Sequence, residues 1–452
     1  MTRFCGLTGP PHAGGETGPE NPHFSDISMM RVSLLCCRVA LVLGVAVSFA
    51  AASPQKAAAP KPPSNDDCLA CHSDAGAVRA DGRSVAVKPE AFAESIHGMG
   101  GLACVDCHTD LATLAEFPHA EKLKPAQCAT CHEKAVAAYD TGVHAQARRS
   151  GGNLSAAACA DCHGSHDIKP SADPGSRTHH ARLLDTCGRC HGDEEIIKRG
   201  KIEIGNVVDL FRDSIHGKAL IKSGLSVAPN CSDCHGSHDI RRKSDPASKV
   251  FRNTIPGTCS GCHEGIGREY WASVHGTQVA KGSPLAPVCT NCHTAHEIRR
   301  SDVEGWKLEV IKECGTCHEH SLETYRDTFH GQVTALGYAR VASCADCHGA
   351  HNVFPKADPR STVSDAKRVA TCQQCHEGAT PSFAEFDPHA DPENRQRNPT
   401  LFYTAQFMKM LLLGVFSFFG LHTALWLGRG MQQKAADQIR RRKDHDSTED
   451  GE

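Results

Sequence analysis

Aromatic residues are scarce in this chain of 452 residues, at 5%, and long apolar runs are lacking ahead of residue 401. An ordinary side-chain core is therefore thin for a length that could make two or three domains. Methionine is rarer still, Met99 being the one example between Ser53 and Thr400. A strong charge of either sign is missing too, since the formal net charge is −3. That excludes the basic face which nucleic acid needs. No odd thiol is left in the body of the chain, because Cys5, Cys36 and Cys37 all fall before residue 53.

The other twenty-two of the twenty-five cysteines form eleven Cys-x-x-Cys pairs, each followed at once by histidine. They are Cys68/Cys71 with His72, Cys104/Cys107 with His108, Cys128/Cys131 with His132, Cys159/Cys162 with His163, Cys187/Cys190 with His191 and Cys231/Cys234 with His235. Cys259/Cys262 with His263, Cys289/Cys292 with His293, Cys314/Cys317 with His318, Cys344/Cys347 with His348 and Cys372/Cys375 with His376 complete the set. Two cysteines three apart can form thioethers to the two vinyl groups of one haem, and the next histidine can ligate its iron. Zinc ribbons, redox dithiols and disulfides also use Cys-x-x-Cys. Zinc would not need histidine at the same offset every time, and a disulfide would not need it at all. The reading is a c-type cytochrome with eleven covalently bound haems. The 322 residues from Cys68 to His389 leave about 29 for each motif, so porphyrins would supply much of the apolar interior. Arg241-Arg242-Lys243 and Arg299-Arg300 then read as propionate partners or solvated surface.

The motifs alternate between two types. Those at Cys104, Cys159, Cys231, Cys289 and Cys344 carry Asp or Asn before the second cysteine, and four of them place a histidine three residues after the first: His166, His238, His296 and His351. After the Cys104 motif the next histidine is His119. The motifs at Cys68, Cys128, Cys187, Cys259, Cys314 and Cys372 are followed by a helix-like stretch expected to end in a histidine. In five of them an aromatic stands five residues earlier: Phe92 with His97, Tyr139 with His144, Phe211 with His216, Tyr270 with His275 and Tyr325 with His330. The sixth closes on Phe386 and His389, echoing Phe117 and His119. This is a repeat of about 55 residues with two motifs, present five times with an extra motif expected at the front. Repeats that touch chiefly their neighbours predict a line of haems rather than a cluster.

Eleven further histidines thus stand in repeat-defined places: His97, His119, His144, His166, His216, His238, His275, His296, His330, His351 and His389. They match eleven irons, which predicts bis-histidine, low-spin, low-potential ligation throughout. A hydrogen-bonded turn is the competing role for His119 and His389. A histidine three residues past the first ligand cannot easily cross to the other face of the same porphyrin, so it is expected to reach a neighbour. Which one does not follow from spacing. His179, His180 and His320 are surplus and read as surface residues.

Residues 1–28 fit no targeting class and read as an over-extended start. Residues 29–52, with Met29-Met30-Arg31, Arg38 and the apolar run Val39 to Ala50, read as a secretory signal, with an uncleaved anchor as the alternative. An Ala/Pro/Lys linker over 53–66 leads into a haem domain over 67–390, and 391–400 links that domain to the tail. The apolar run 401–428 predicts a transmembrane helix with Phe402, Tyr403 and Trp426 at its interfaces. Arg429, Lys434 and Arg440-Arg441-Arg442-Lys443 within 429–452 predict a cytoplasmic tail, hence a single pass of a bacterial inner membrane with the haem domain in the periplasm. His422, inside the span, reads as a ligand to a b-type haem shared with a partner, or as an interhelical hydrogen bond.

The alternation of Ser-x-His-Gly, as at Ser214 to Gly217 and Ser273 to Gly276, with Cys-x-Asp-Cys-His-Gly-x-His resembles the decahaem periplasmic cytochromes of dissimilatory metal- and sulfoxide-reducing bacteria over residues 68–376. The resemblance implies a haem wire, although those proteins end without a membrane anchor. The segment Phe419 to Leu427 resembles the first helix of the dihaem cytochrome b subunits of formate dehydrogenases and nickel-iron hydrogenases. Together they look like the cytochrome c part of inner-membrane c/b complexes that exchange electrons with menaquinol, which implies a cytochrome b or quinol oxidoreductase subunit as one partner and periplasmic or outer-membrane acceptors as others. The expected architecture is all-α and loop-rich: an extended array of dihaem repeats plus one C-terminal helix. Electron transfer is the expected function. A terminal reductase for nitrite, hydroxylamine or a sulfur oxyanion, with one open iron, is the alternative, and a non-catalytic scaffold is a third.

Overall fold

The computed structural model describes residues 61–114, 116–151 and 156–449. The start and signal readings, most of the linker and the last tail residues lie outside that range. The described residues form short helices joined by loops, with no strand beyond an isolated bridge between Val78 and Ser84.

Each Asp-type motif is one capped turn of helix. In Cys159–His163 the Asp161 carboxylate accepts the backbone N–H of Ala158 at 2.7 Å, and Asp106, Asp233, Asn291 and Asp346 do the same for Ala103, Asn230, Val288 and Ser343. This satisfies an orphan donor at the start of the turn and holds both cysteines and the histidine together. That is why Asp or Asn stands before the second cysteine. Directly after the histidine, Gly164, Gly236 and Gly349 take positive φ and turn the chain back, and Thr294 adopts the same region at φ 62°.

The helix-like stretch does not end in its histidine, contrary to expectation. In the fourth repeat the helix Glu264–Ala272 stops, Ser273 takes extended backbone, and a new helix Val274–Ala280 carries His275 in its first turn. The Ser273 hydroxyl accepts from the Gly276 N–H at 3.2 Å and donates to the Tyr270 carbonyl at 2.7 Å, so one side chain both caps the new helix and closes the old one. Ser95, Ser214 and Thr328 repeat the arrangement, and the three serines are each 1% exposed. Glycine follows the histidine because a Cβ on Gly98, Gly217, Gly276 or Gly331 would collide with the carbonyl of the aromatic residue. We expect Gly276→Ala to cost about 1–3 kcal/mol through the forced shift of that helix start, measured as a lower melting temperature at unchanged haem content.

The aromatic residue also has a tertiary role. The Tyr139, Tyr270 and Tyr325 hydroxyls donate to the carbonyls of Ala157, Pro287 and Ala342, each two residues before the next attachment cysteine, at 2.7–2.8 Å. Successive repeats are clasped by a recurring backbone bond. Ile96, Val143, Ile215 and Val274, each just before a histidine, donate to Ile168, Ile240, Ile298 and Val353 of the following repeat at 2.7–2.9 Å. The side-chain core is as thin as the composition implies. Tyr270, Val279, Ala286 and Val288 form a four-residue cluster, and six of the fifteen buried hydrophobics in the described residues are alanine.

After the last motif, Pro399–Glu449 is a continuous helix, and it is long and apolar enough to cross a membrane. Its base is tied down: Asn398 accepts from the Asp391 N–H at 3.0 Å, and Lys409 reaches back to Glu393 at 3.4 Å.

Candidate functional site

The histidines that follow the cysteines each face one of the repeat-defined histidines, and no histidine is used twice. His72 faces His119 at 5.9 Å between ring centroids, His132 faces His97 at 6.0 Å, His108 faces His166 at 6.4 Å and His191 faces His144 at 6.3 Å. His163 faces His238, His263 faces His216 and His235 faces His296, all at 6.0 Å. His318 faces His275 at 6.3 Å, His293 faces His351 at 5.9 Å, His376 faces His330 at 6.1 Å and His348 faces His389 at 6.2 Å. Two imidazoles bound to opposite faces of one metal, with metal–nitrogen bonds of about 2 Å, put their centroids about 6 Å apart. Direct ring stacking would be closer.

The donor set is one that needs a porphyrin. Among the described residues no group of three or more His, Cys, Asp or Glu side chains converges as a metal site, so a metal held by one histidine pair would take its other donors from a bound group. None of the twenty-two cysteines is in a disulfide, so each sulfur is available for a thioether. Where the outward ring nitrogen is tied, it is Nδ1: that of His72 meets the Val85 carbonyl at 2.8 Å and that of His119 the Ala120 carbonyl at 2.8 Å. Nδ1 of His389 lies 3.1 Å from the Thr324 hydroxyl, which has its own acceptors in the His320 and Ser321 carbonyls. Such bonds fix the tautomer and leave Nε2 for iron. Burial first, and then the facing imidazole, hold His144, His163, His235 and His348 below the ordinary histidine value, favouring the neutral ring with its lone pair free.

The pairing follows a rule that spacing did not reveal. A histidine in a Ser-x-His-Gly helix meets the histidine of the next motif of its own type. A histidine three residues past an Asp-type motif reaches back to the Asp-type motif of the preceding repeat. His389 stands in that second role for His348, and His119 meets His72.

The thiols set the order of the sites. Burial, and then the neighbouring Cys68 thiol, push Cys104 up to about 11. The same first-cysteine contact joins Cys128 to Cys159, Cys187 to Cys231, Cys259 to Cys289 and Cys314 to Cys344. Second cysteines make the other junctions: Cys107 lies within electrostatic range of Cys131, Cys162 of Cys190, Cys234 of Cys259, Cys292 of Cys314 and Cys347 of Cys372. Motifs that follow one another in sequence are therefore neighbours in space, with the first cysteines in contact at every other junction. First-cysteine contacts pair Cys68 with Cys104 and so on down the chain, which leaves the Cys372 motif over. Grouped by the second-cysteine junctions instead, the Cys68 motif is left over at the front, as its spacing suggests.

The attachment cysteines differ in how far the polypeptide itself covers them. Cys71, Cys262, Cys317 and Cys375 are exposed rather than enclosed, as are Cys128 and Cys131, while the other sixteen attachment cysteines are half-buried.

Of the surplus histidines, His180 is not a surface residue. Its Nε2 bonds the Ala228 carbonyl at 2.9 Å and its Nδ1 the buried Asn230 amide at 2.8 Å, which fixes the start of Cys231–His235. His179 accepts from the Ala181 N–H, and exposed His320 meets Asp391 at 3.4 Å. His422 is exposed on the long helix. Reading the sequence missed one repeated device, Asp-Pro-x-Ser at 173–176, 245–248 and 358–361. Its serine is buried in each case and bonds back to the carbonyl of Lys169, Arg241 or Phe354.

Repeated Cys-x-x-Cys-His, paired imidazoles and a wrapper of short helices define a multihaem c-type cytochrome. The comparisons agree: residues 90–164 match the family described as cytochrome c7 and related cytochrome c. The chain is similar to the cytochrome c-type protein NrfB of Escherichia coli O6:H1, 26% identical over 141 residues that cover 29% of this chain and 70% of that protein. No solved structure matches it.

Proposed function

We propose that the chain holds eleven c-type haems, each between one pair of facing histidines, and carries electrons along them in chain order. The observation that carries this reading is the one-to-one set of eleven imidazole pairs at 5.9–6.4 Å. Haem supplies an iron that exchanges one electron. The facing histidines would hold that iron from both sides and leave it no open position for substrate, and the polypeptide spaces the attachment points one after another. In this reading the helix from Pro399 anchors the chain in the cytoplasmic membrane with the haems in the periplasm. Electrons pass between a membrane cytochrome b or quinol oxidoreductase at the Cys372 end and periplasmic or outer-membrane acceptors at the Cys68 end. His422 would share a b-type haem with that membrane partner.

The test is the EPR spectrum of the oxidised, purified protein before and after nitrite, hydroxylamine or cyanide, together with an intact mass. We expect eleven haem additions, low-spin signals only and no response to added ligand. A high-spin fraction near one haem in eleven that binds ligand would instead make this a reductase.

A further inference from the structure

The clasp between repeats is made four times, and in the fifth repeat its donor has nothing to hold. Phe329 occupies the place of Val274, between the capping residue Thr328 and His330. Among the described residues its amide has no hydrogen-bond acceptor, whereas those of Ile96, Val143, Ile215 and Val274 each have one. Its side chain is 77% exposed, against 42% for Ile96, while Val143, Ile215 and Val274 are partly buried. Flanking the positive-φ Gly337, Leu336 is 88% and Tyr338 55% exposed; beside the equivalent Gly282 the fourth repeat has Lys281 and Ser283, and beside Gly224 the third has Ser223 and Leu225, the last 50% exposed.

The chain's own continuation does not supply the missing acceptor. The acceptors Ile168, Ile240, Ile298 and Val353 each lie two residues past a histidine of the second role, and the corresponding residue after His389 is Asp391. The Asp391 carbonyl is taken by the Asn394 N–H, its own N–H by Asn398 and its carboxylate by His320. This residue serves the base of the long helix instead.

We propose that the face formed by Phe329, Leu336 and Tyr338 docks a partner subunit held in the same membrane, which adds one extended segment to the array. A carbonyl of that segment accepts from the Phe329 amide, and an aliphatic side chain covers the ring. This continues an interface that the chain already builds four times. A second copy of the chain offers no repeat of the clasp there, because its four clasp acceptors are engaged internally. The face lies next to His330, a ligand of the last site in the line, and the membrane helix leaves from the same end through Asp391 and Asn398. The inference rests on the proposed membrane anchoring, and it places the electron contact with the membrane partner at the His330–His376 site.

The test uses the full chain in its native membranes, with a photo-crosslinking amino acid at Leu336. A crosslink to a protein of several membrane helices is expected. Crosslinks to lipid alone, to a second copy or to a soluble protein would overturn the proposal, as would none at all. In parallel, Leu336→Lys/Tyr338→Ser installs the residues of the fourth repeat and so keeps the fold. We expect quinol-driven haem reduction to slow about tenfold or more with haem content and EPR unchanged, the size of effect that losing interface anchors gives. An unchanged rate would overturn the docking site. If quinol reduces no haem in wild-type membranes, the proposed function fails instead, and the crosslink alone decides the docking face.

Discussion

A chain without the attachment cysteines of its sixth motif, Cys231→Ala/Cys234→Ala, is expected to lose one haem and nearly all electron flow between its ends. The reason is the order of the thiols: Cys187 meets Cys231, and Cys234 lies beside Cys259, so the sixth site is the link between the first five and the last five. A line has no parallel branch around a missing member. Reduced from the Cys372 end, the ten remaining haems should split into two kinetic classes of equal amplitude. The five from Cys259 to Cys372 would reduce at the native rate and the five from Cys68 to Cys187 slower by orders of magnitude. Stopped-flow absorbance in the haem α band measures both, and a single native-rate phase for all ten would show a bypass and refute the line.

Replacing His238 with alanine should change a haem in a different repeat from the one that carries the residue. His238 stands three residues after His235, yet it faces His163 at 6.0 Å, while His235 faces His296. The haem on Cys159 and Cys162 should therefore become high-spin and bind cyanide, with the haem on Cys231 and Cys234 untouched. EPR should show one high-spin haem in eleven. Removing Cys159 and Cys162 in the same chain should abolish that signal. If removing Cys231 and Cys234 abolishes it instead, the cross-repeat pairing is wrong.

Much of the site was legible before the structure because its chemistry is local. Cys159, Cys162 and His163 lie within one turn of helix, so the attachment unit is complete in five residues of sequence. The pool of eleven second histidines was legible too, since each keeps its place relative to a motif or to an aromatic residue. Misreadings arose where a residue's role is set by something distant. The helix before His275 was read as continuous because Ser273 is compatible with a helix, and only its bond back to Tyr270 shows the break. His180 was read as surplus because its partners Ala228 and Asn230 are 48 and 50 residues away.

The sequence by itself determined the cofactor chemistry, the number of attachment units, the repeat and the apolar helix at the end, all of which are matters of composition and short-range spacing. Only the tertiary structure decided which histidine faces which, that motifs consecutive in sequence are neighbours in space, and that the fifth repeat is left with an unmatched donor at Phe329. The cost of closing a loop grows only slowly with its length, by about 0.6 kcal/mol for each doubling. His166 could therefore have been brought to His108 or to a nearer motif at nearly equal cost in chain entropy. The choice falls to the clasps between repeats, such as Ile96 to Ile168, and to the caps that aim each imidazole.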